Sequence, residues 1–312
     1  MNRIIYTPVL LLCILFSCKQ KDKEIQPATN GNSLLWKISG NGLEKPSYLY
    51  GTMHILCKED AVLSREFESV IKATDAIYFE VDLANADPVE MMESMKRMKM
   101  RGDTTLDDLL SESDLANLKD YVKGTGYNMI YSEMLTYLPI LTATMLSQEL
   151  QDCGASTGIE DAITVVAKEY KKKTFGIETL DYQLRIMDSI PYAAQAKELV
   201  IYIDSLRKPG GLKTEKERLM GFNKLYTSQN LDSLNKIMFV MAPEFMTSYG
   251  DLLLYNRNRN WVAALKQLLK EKSLILAVGA GHLPGENGVI DLLKKEGYEV
   301  TPLQNTLPQE KK

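Results

Sequence analysis

Histidine nitrogen and carboxylate oxygen are the side-chain atoms best suited to hold a hydrolytic metal ion or to pass a proton near neutral pH. This sequence has only two histidines, His54 and His282. Each is the fourth residue of a Gly-x-x-His, in Gly51-Thr52-Met53-His54 and Gly279-Ala280-Gly281-His282. A carboxylate, Glu80, interrupts the apolar run Ile77-Tyr78-Phe79-Glu80-Val81, where charge is costly unless it is paired or bound to something. Two imidazoles and a carboxylate match zinc, manganese or iron at a hydrolytic centre with positions left open for water. A metal so held lowers the pKa of its water toward neutrality and so supplies a nucleophile without Ser or Cys. His54 and His282 are then ligands, and Glu80 is the third ligand or the general base. Without metal, Glu80 orients a histidine base toward water. The plain alternative is two structural histidines, each bonded to a nearby carbonyl.

The elements that must position these residues read as two matching units. Leu274 to Val278 is an apolar run that predicts a buried strand. The glycines Gly279 and Gly281 follow, then His282, a loop with Pro284, Gly285 and Gly288, an amphipathic helix stopped at Gly297, and a strand from Tyr298 to Leu303. Near the other end, the strand Ser47 to Tyr50 leads to Gly51 and His54, a helix from Ser64 to Ala73, and the strand Ala76 to Leu83. If the units pack side by side, both histidines converge at strand ends, where α/β folds place their sites. The fold expected is α/β: a mixed central sheet built from two strand–GxxH–helix–strand units, with a large helical insert.

Between the units, Leu34 to Ser39 predicts an edge strand before the Gly40-Asn41-Gly42 turn. Met91, Met95 and Met98 fall at helical spacing in Pro88 to Arg101, a stripe that reads as core with an adaptable groove lining as its rival. Met134 to Leu150 reads as one apolar helix around Pro139, and Ile159 to Tyr170 as a helix with Glu160 and Asp161 near its start. Lys173 to Glu178 is a strand ending in a second carboxylate, Glu178, which caps or supports the helix that begins at Leu180. The polar run Asn256-Arg257-Asn258-Arg259-Asn260 reads as the solvent face of a helix from Leu252 to Leu269.

Bulk properties exclude other classes. Net charge is −4 with no long basic run, which argues against nucleic acid as a partner. No Gly-x-Gly-x-x-Gly joins a strand to a helix, and no Gly-x-Ser-x-Gly elbow or cysteine-protease signature is present. At the N-terminus a short positive start, an apolar stretch from Ile4 to Phe16 and Leu15-Phe16-Ser17-Cys18 resemble a bacterial lipoprotein signal over 1–18, with Cys18 lipidated. A plain secretory signal is the alternative. Residues 19–33 then form a flexible tether, 34–305 the folded domain and 306–312 a polar tail. The expected location is the cell envelope, lipid-anchored and extracytoplasmic, on the periplasmic or surface face. Cys57 and Cys153 remain, either paired in that oxidising compartment or as two buried thiols.

Taken together, Ser47 to His54, Glu80 in FEVDL, KTFGIETL over Lys173 to Leu180, Arg257-Asn258 before Trp261, and AVGAGHLPGENGVIDLLKKEGYEV resemble the TraB/GumN family. That family groups with the Tiki metalloproteases and, more distantly, with erythromycin-esterase-like and ChaN-like proteins. The resemblance spans about Leu34 to Leu303. It implies a Tiki-like fold and a site of Gly51, His54, Glu80, Gly279 and His282 holding a divalent ion, with manganese, cobalt or zinc not distinguished. It further implies that Arg257 and Asn258 contact substrate or transition state and that Glu178 supports from behind. Where many relatives carry Gly-x-Asp, this chain has Gly158-Ile159-Glu160, so a ligand role there is not carried over. The activity implied is a metal-dependent hydrolase, a peptidase by kinship. Sequestration of a peptide or haem in the same cleft is the competing expectation.

Overall fold

A computed structural model describes residues 25–28, 31–151, 153 and 155–308. The lipidation expected at Cys18, the signal over 1–18 and part of the tether and tail lie outside the described residues. None of the described helices is long and apolar enough to cross a membrane.

Strands are numbered along the chain: β1 (Leu35–Ser39), β2 (Ser47–Thr52), β3 (Leu56–Cys57), β4 (Ala76–Phe79), β5 (Ser156–Thr157), β6 (Lys173–Gly176), β7 (Leu274–Gly279) and β8 (Glu299–Pro302). Six of them form one mixed sheet in the order β6-β4-β7-β2-β1-β8. Its heart is parallel, with β7 between β4 and β2 and with β6 beside β4. β1 runs antiparallel to both β2 and β8. Leu34-Leu35 therefore leads into an interior strand, not the edge strand the sequence suggested; β8 takes that edge.

β7 is central because its Leu274 to Val278 side chains are all buried, as a strand covered on both faces requires. Registry places Gly51 opposite Val278 and Thr52 opposite Gly279. The two Gly-x-x-His segments thus leave neighbouring strands at the same height. The first unit continues into a helix, Arg65–Ala73, whose start is fixed by Ser64, its side-chain oxygen accepting from Phe67 N at 2.9 Å.

The insert between the units has its own apolar core, in which Leu106, Leu118, Leu138 and Leu146 pack with Leu199 and Ile203. Two expectations inside it change. Met134 to Leu150 is broken, because Pro139 opens a new helix, Pro139–Gln148, rather than sitting inside one. The methionine stripe is not core: on the short helix Pro88–Lys96 Met95 is 55% exposed and Met91 half-buried, and Met98, half-buried, lies beyond the helix end. Met91 lines an open cleft beside Glu178 and Leu180. The small β3–β5 ribbon ties the His54 loop to the start of the helix Ile159–Glu169, and a disulfide between Cys57 and Cys153 fastens it.

Candidate active site

The four parallel strands each deliver one residue at their C-terminal ends. β2 gives His54, β7 gives His282, β4 gives Glu80 and β6 gives Glu178. Glu80 lies one residue beyond β4 rather than within it, and Glu178 two residues beyond β6. Leaving the sheet frees their side chains to turn toward a common point instead of alternating across it. Gly279 marks that point. A side-chain carbon there would sit 3.1 Å from Glu80 Oε1, 3.6 Å from His282 Cδ2 and 3.9 Å from His54 Nε2. Glycine is required because any larger residue would fill the place where the three meet.

Glu80 is buried and held by three neighbours. Oε1 accepts from Gly279 N at 2.7 Å, while Oε2 accepts from Gln183 Nε2 at 3.1 Å and from Arg257 Nη2. Burial alone would raise its pKa; the electrostatic pull of the His282 ring and of the Arg257 and His54 cations, with the Gly279 amide, outweighs that and holds the carboxyl at about 2. Glu178 Oε1 accepts from Gln183 at 2.7 Å and from Arg257 Nε at 2.9 Å, and its Oε2 from Trp261 Nε1 at 2.9 Å. It does not cap the helix Leu180–Ser189; Thr179 does.

Arg257 and Asn258 are buried, not on a solvent face. They open the helix Asn256–Glu271 directly after a π-turn, Asp251–Tyr255. The guanidinium has five N–H groups. One goes from Nε to Glu178, two from Nη2 to Glu80 and Glu178, and two from Nη1 to Leu253 O at 2.9 Å and His282 Nε2 at 3.2 Å. With every donor committed and its face 4.9 Å from the Trp261 ring, Arg257 organises the two carboxylates rather than presenting a donor to substrate.

Each histidine has Nδ1 anchored and Nε2 turned inward. Asn258 Nδ2 donates to Asn287 O at 2.7 Å and to His282 O at 3.3 Å, so its Oδ1 must be the atom 2.6 Å from His282 Nδ1. That assigns the proton to Nδ1 and leaves the Nε2 lone pair to accept from Arg257 Nη1 at 3.2 Å, with Glu80 Oε1 3.8 Å away. Burial lowers the His282 pKa to about 3, against the pull of Glu80 and helped by Arg257 and His54, so the ring is neutral at pH 7. His54 Nδ1 lies 2.7 Å from Glu160 Oε1, a buried oxygen with no aligned hydrogen bond. Burial works against protonation of His54, weakly for a side chain that is 64% exposed. Glu160 outweighs it and raises the pKa to about 9, with a smaller push from Glu80.

The donor set suits a divalent cation in kind: two imidazole Nε2 atoms and a carboxylate, each imidazole fixed through its other nitrogen as metal-ligating histidines are. Two features stand against full preorganisation. Arg257 Nη1 occupies the His282 Nε2 lone pair. Among the described residues, the one set of three such donors within 4.8 Å of each other is Cys57, Glu59 and Cys153, two of which form the disulfide. Glu160 and Gln183 had no place in the sequence-level site. Glu160 stood in the right tripeptide, four residues past Ser156, but its partner comes from a distant strand end.

A sheet with a parallel heart that brings two Gly-x-x-His histidines and two glutamates to its C-terminal edge defines an α/β protein with a buried polar centre at its strand ends. The chain belongs to the TraB/PrgY/gumN family, whose model matches residues 34–302. Metalloprotease TIKI2 of Danio rerio is 25% identical over 94% of this chain, and Metalloprotease TIKI1 of Homo sapiens 24% over 86%. The matches span 64% and 61% of those two longer proteins. Uncharacterized protein YbaP of Shigella flexneri is 24% identical over 87% of this chain and 97% of its own length. No solved structure matches the chain.

Proposed function

We propose that this chain is a metal-dependent hydrolase that cleaves peptide bonds, with His54, His282 and Glu80 holding a divalent ion, manganese, cobalt or zinc. The observation that carries the reading is the meeting of His54 Nε2, Glu80 Oε1 and the His282 ring around Gly279, with both Nδ1 atoms anchored from behind. Kinship with proteins named metalloproteases supports it.

A divalent ion held there supplies a water of near-neutral pKa and a Lewis acid for the substrate carbonyl. The chain's own residues do the rest. Asn258 keeps the His282 proton on Nδ1, and Glu160 does the same for His54. Gly279 N, Gln183 and Arg257 keep Glu80 ionised and fixed, so its place is as an anchored ligand rather than a base; a carboxyl held at about 2 takes up protons poorly. Glu160, which anchors His54 Nδ1, lines the same cleft of about 330 Å³ as His54 and Glu80. The same proposal places the chain outside the cytoplasm on a membrane surface, anchored through Cys18; the Cys57–Cys153 bridge supports an oxidising compartment.

One observation favours a second reading, peptide capture without turnover: Arg257 Nη1 sits on the lone pair that a His282 ligand needs. Elemental analysis of the metal-supplemented full chain in lipid nanodiscs, beside His54→Ala and His282→Ala, separates the two. Near-stoichiometric metal, lost from both variants while circular dichroism shows them folded, is the expected result. Metal-free wild type leaves peptide capture.

A further inference from the structure

His54 stands between two cavities. On one side lies the acidic cleft already described, which Glu80, Asp82, Glu160 and Asp161 line. On the other is a cavity of about 460 Å³ between the His54 loop and the helical insert. That is within the size range of small-ligand sites. Ile140, Ala143, Leu150, Leu219 and Phe222 make its walls, from the helices Pro139–Gln148 and Gly211–Thr227 and the segment after the first.

Two amides in this apolar setting are half-satisfied. Asn223, 8% exposed, donates from Nδ2 to Gln151 Oε1 at 3.2 Å. Asn223 Oδ1 and Gln151 Nε2 are buried and have no partner. Turning both amides over leaves the same balance, because a bonded pair of carboxamides always retains one free acceptor and one free donor. Buried polar atoms without partners are costly, and an acceptor beside a donor is the complement of a peptide group. The one ion pair lining the cavity, Glu215 with Arg218, is closed on itself and adds no net charge. The disulfide fixes this corner: Cys153 follows Gln151 by two residues, and Cys57 follows His54 by three.

We propose that this cavity is the subsite that receives a bulky, uncharged apolar side chain of the peptide substrate, next to the bond presented at His54, with the adjoining backbone amide held by Asn223 and Gln151. The assignment rests on the hydrolase reading for the identity of the ligand as a peptide, and on the cavity alone for its side-chain class. The acidic cleft on the far side of His54 takes the other half of the chain, so the substrate crosses the histidine from apolar to acidic surroundings.

The test uses a probe that needs no turnover. N-acetyl-4-fluorophenylalaninamide is titrated onto the full chain in lipid nanodiscs and followed by fluorine NMR against empty nanodiscs, with N-acetylleucinamide and N-acetylglycinamide as competitors. Saturable binding is expected, displaced by the leucine amide and at least tenfold less well by the glycine amide. Ala143→Trp, which fills the cavity, should weaken the probe at least tenfold; Asn223→Leu should weaken it about fivefold. If Ala143→Trp does not fold, Thr144→Trp serves, because Thr144 lines the same cavity from an exposed helix position. Glu80→Gln should lose metal and turnover while leaving probe binding unchanged; a wild type that binds the probe but holds no metal and cleaves no peptide overturns the hydrolase reading and not the subsite. No saturable binding, equal competition by the glycine amide, or undiminished binding to the filled variant overturns the subsite.

Discussion

Replacing Arg257 with methionine, similar in length but without charge or donors, tests the logic of the site most directly. Among the described residues the guanidinium is the sole Arg or Lys paired with the two buried carboxylates, Glu80 and Glu178, whose side chains are 8% and 6% exposed. After Arg257→Met, Glu80 keeps its bonds from Gly279 N and Gln183, and Glu178 keeps those from Trp261 and Gln183. Hydrogen bonding is therefore only partly lost, but two negative charges are left buried beside a neutral His282. Removing one partner of a buried pair costs about 3–5 kcal/mol, and that is the loss expected at pH 7. The deficit must also depend on pH. Without the cation, one carboxyl rises above its unfolded value of 4.5, and a group so raised contributes stability that is present at low pH and lost as pH rises through its folded pKa. The variant should thus recover roughly 1–2 kcal/mol relative to wild type between pH 7 and pH 5. Denaturant unfolding of both proteins at the two pH values reads both quantities. A deficit below about 1 kcal/mol at pH 7 would mean that Arg257 does not hold the site together. An equal deficit at both pH values would refute the account of the two carboxylates.

Three further outcomes follow from the same geometry. Gly279→Ala places a methyl group where His54, Glu80 and His282 meet, in contact with Glu80 Oε1 at 3.1 Å; metal content and turnover should fall together while the melting temperature moves by only a few degrees. Acid should unfold the protein early. The folded pKa values of His282, about 3 against 6.5, and Glu80, about 2 against 4.5, are both depressed, so their stability is present above the unfolded values and lost as pH falls through the folded ones. A combined loss on the order of 3–5 kcal/mol between pH 6.5 and pH 3 is expected, and chemical unfolding across that range that shows no loss would contradict the buried neutral imidazole. Cys57→Ser with Cys153→Ser opens a cross-link between residues 96 apart and should cost about 2–4 kcal/mol in urea unfolding.

How much of this was legible in the sequence depends on whether the signal was local. The two Gly-x-x-His units, the buried strand at Leu274, the helix from about Ser64 and the helix stop at Gly297 were readable because each depends on neighbours a few residues away. Adjacency of β2 and β7 followed from the repetition of a motif. The polar run at Arg257-Asn258 misled, because polarity at helical spacing looks the same whether it faces water or a buried carboxylate; the partners that decide come from strands ending at Phe79 and Gly176. Glu160 was passed over for a like reason, since its function lies in a contact with His54. The methionine stripe failed in the opposite sense. Apolar periodicity predicts burial only if another element arrives to cover it, and over Met95 none of the described residues does.

The pairing of Thr52 with Gly279 has a consequence for how the protein comes into being. A chain delivered from its N-terminus has β2, β4 and β6 available early, but the strand that belongs between β2 and β4 is among the last to emerge. Until β7 inserts, the sheet has a gap at its centre and the first histidine faces no second. Contacts this distant in sequence are slow to form, so the nascent protein waits with open strand edges, exposed to mispairing. The same arrangement acts as a check on completeness. A chain cut short before residue 274 lacks the central strand and His282 alike, so a truncated product has neither a closed core nor an assembled centre. The assembled centre is thereby withheld from every unfinished copy.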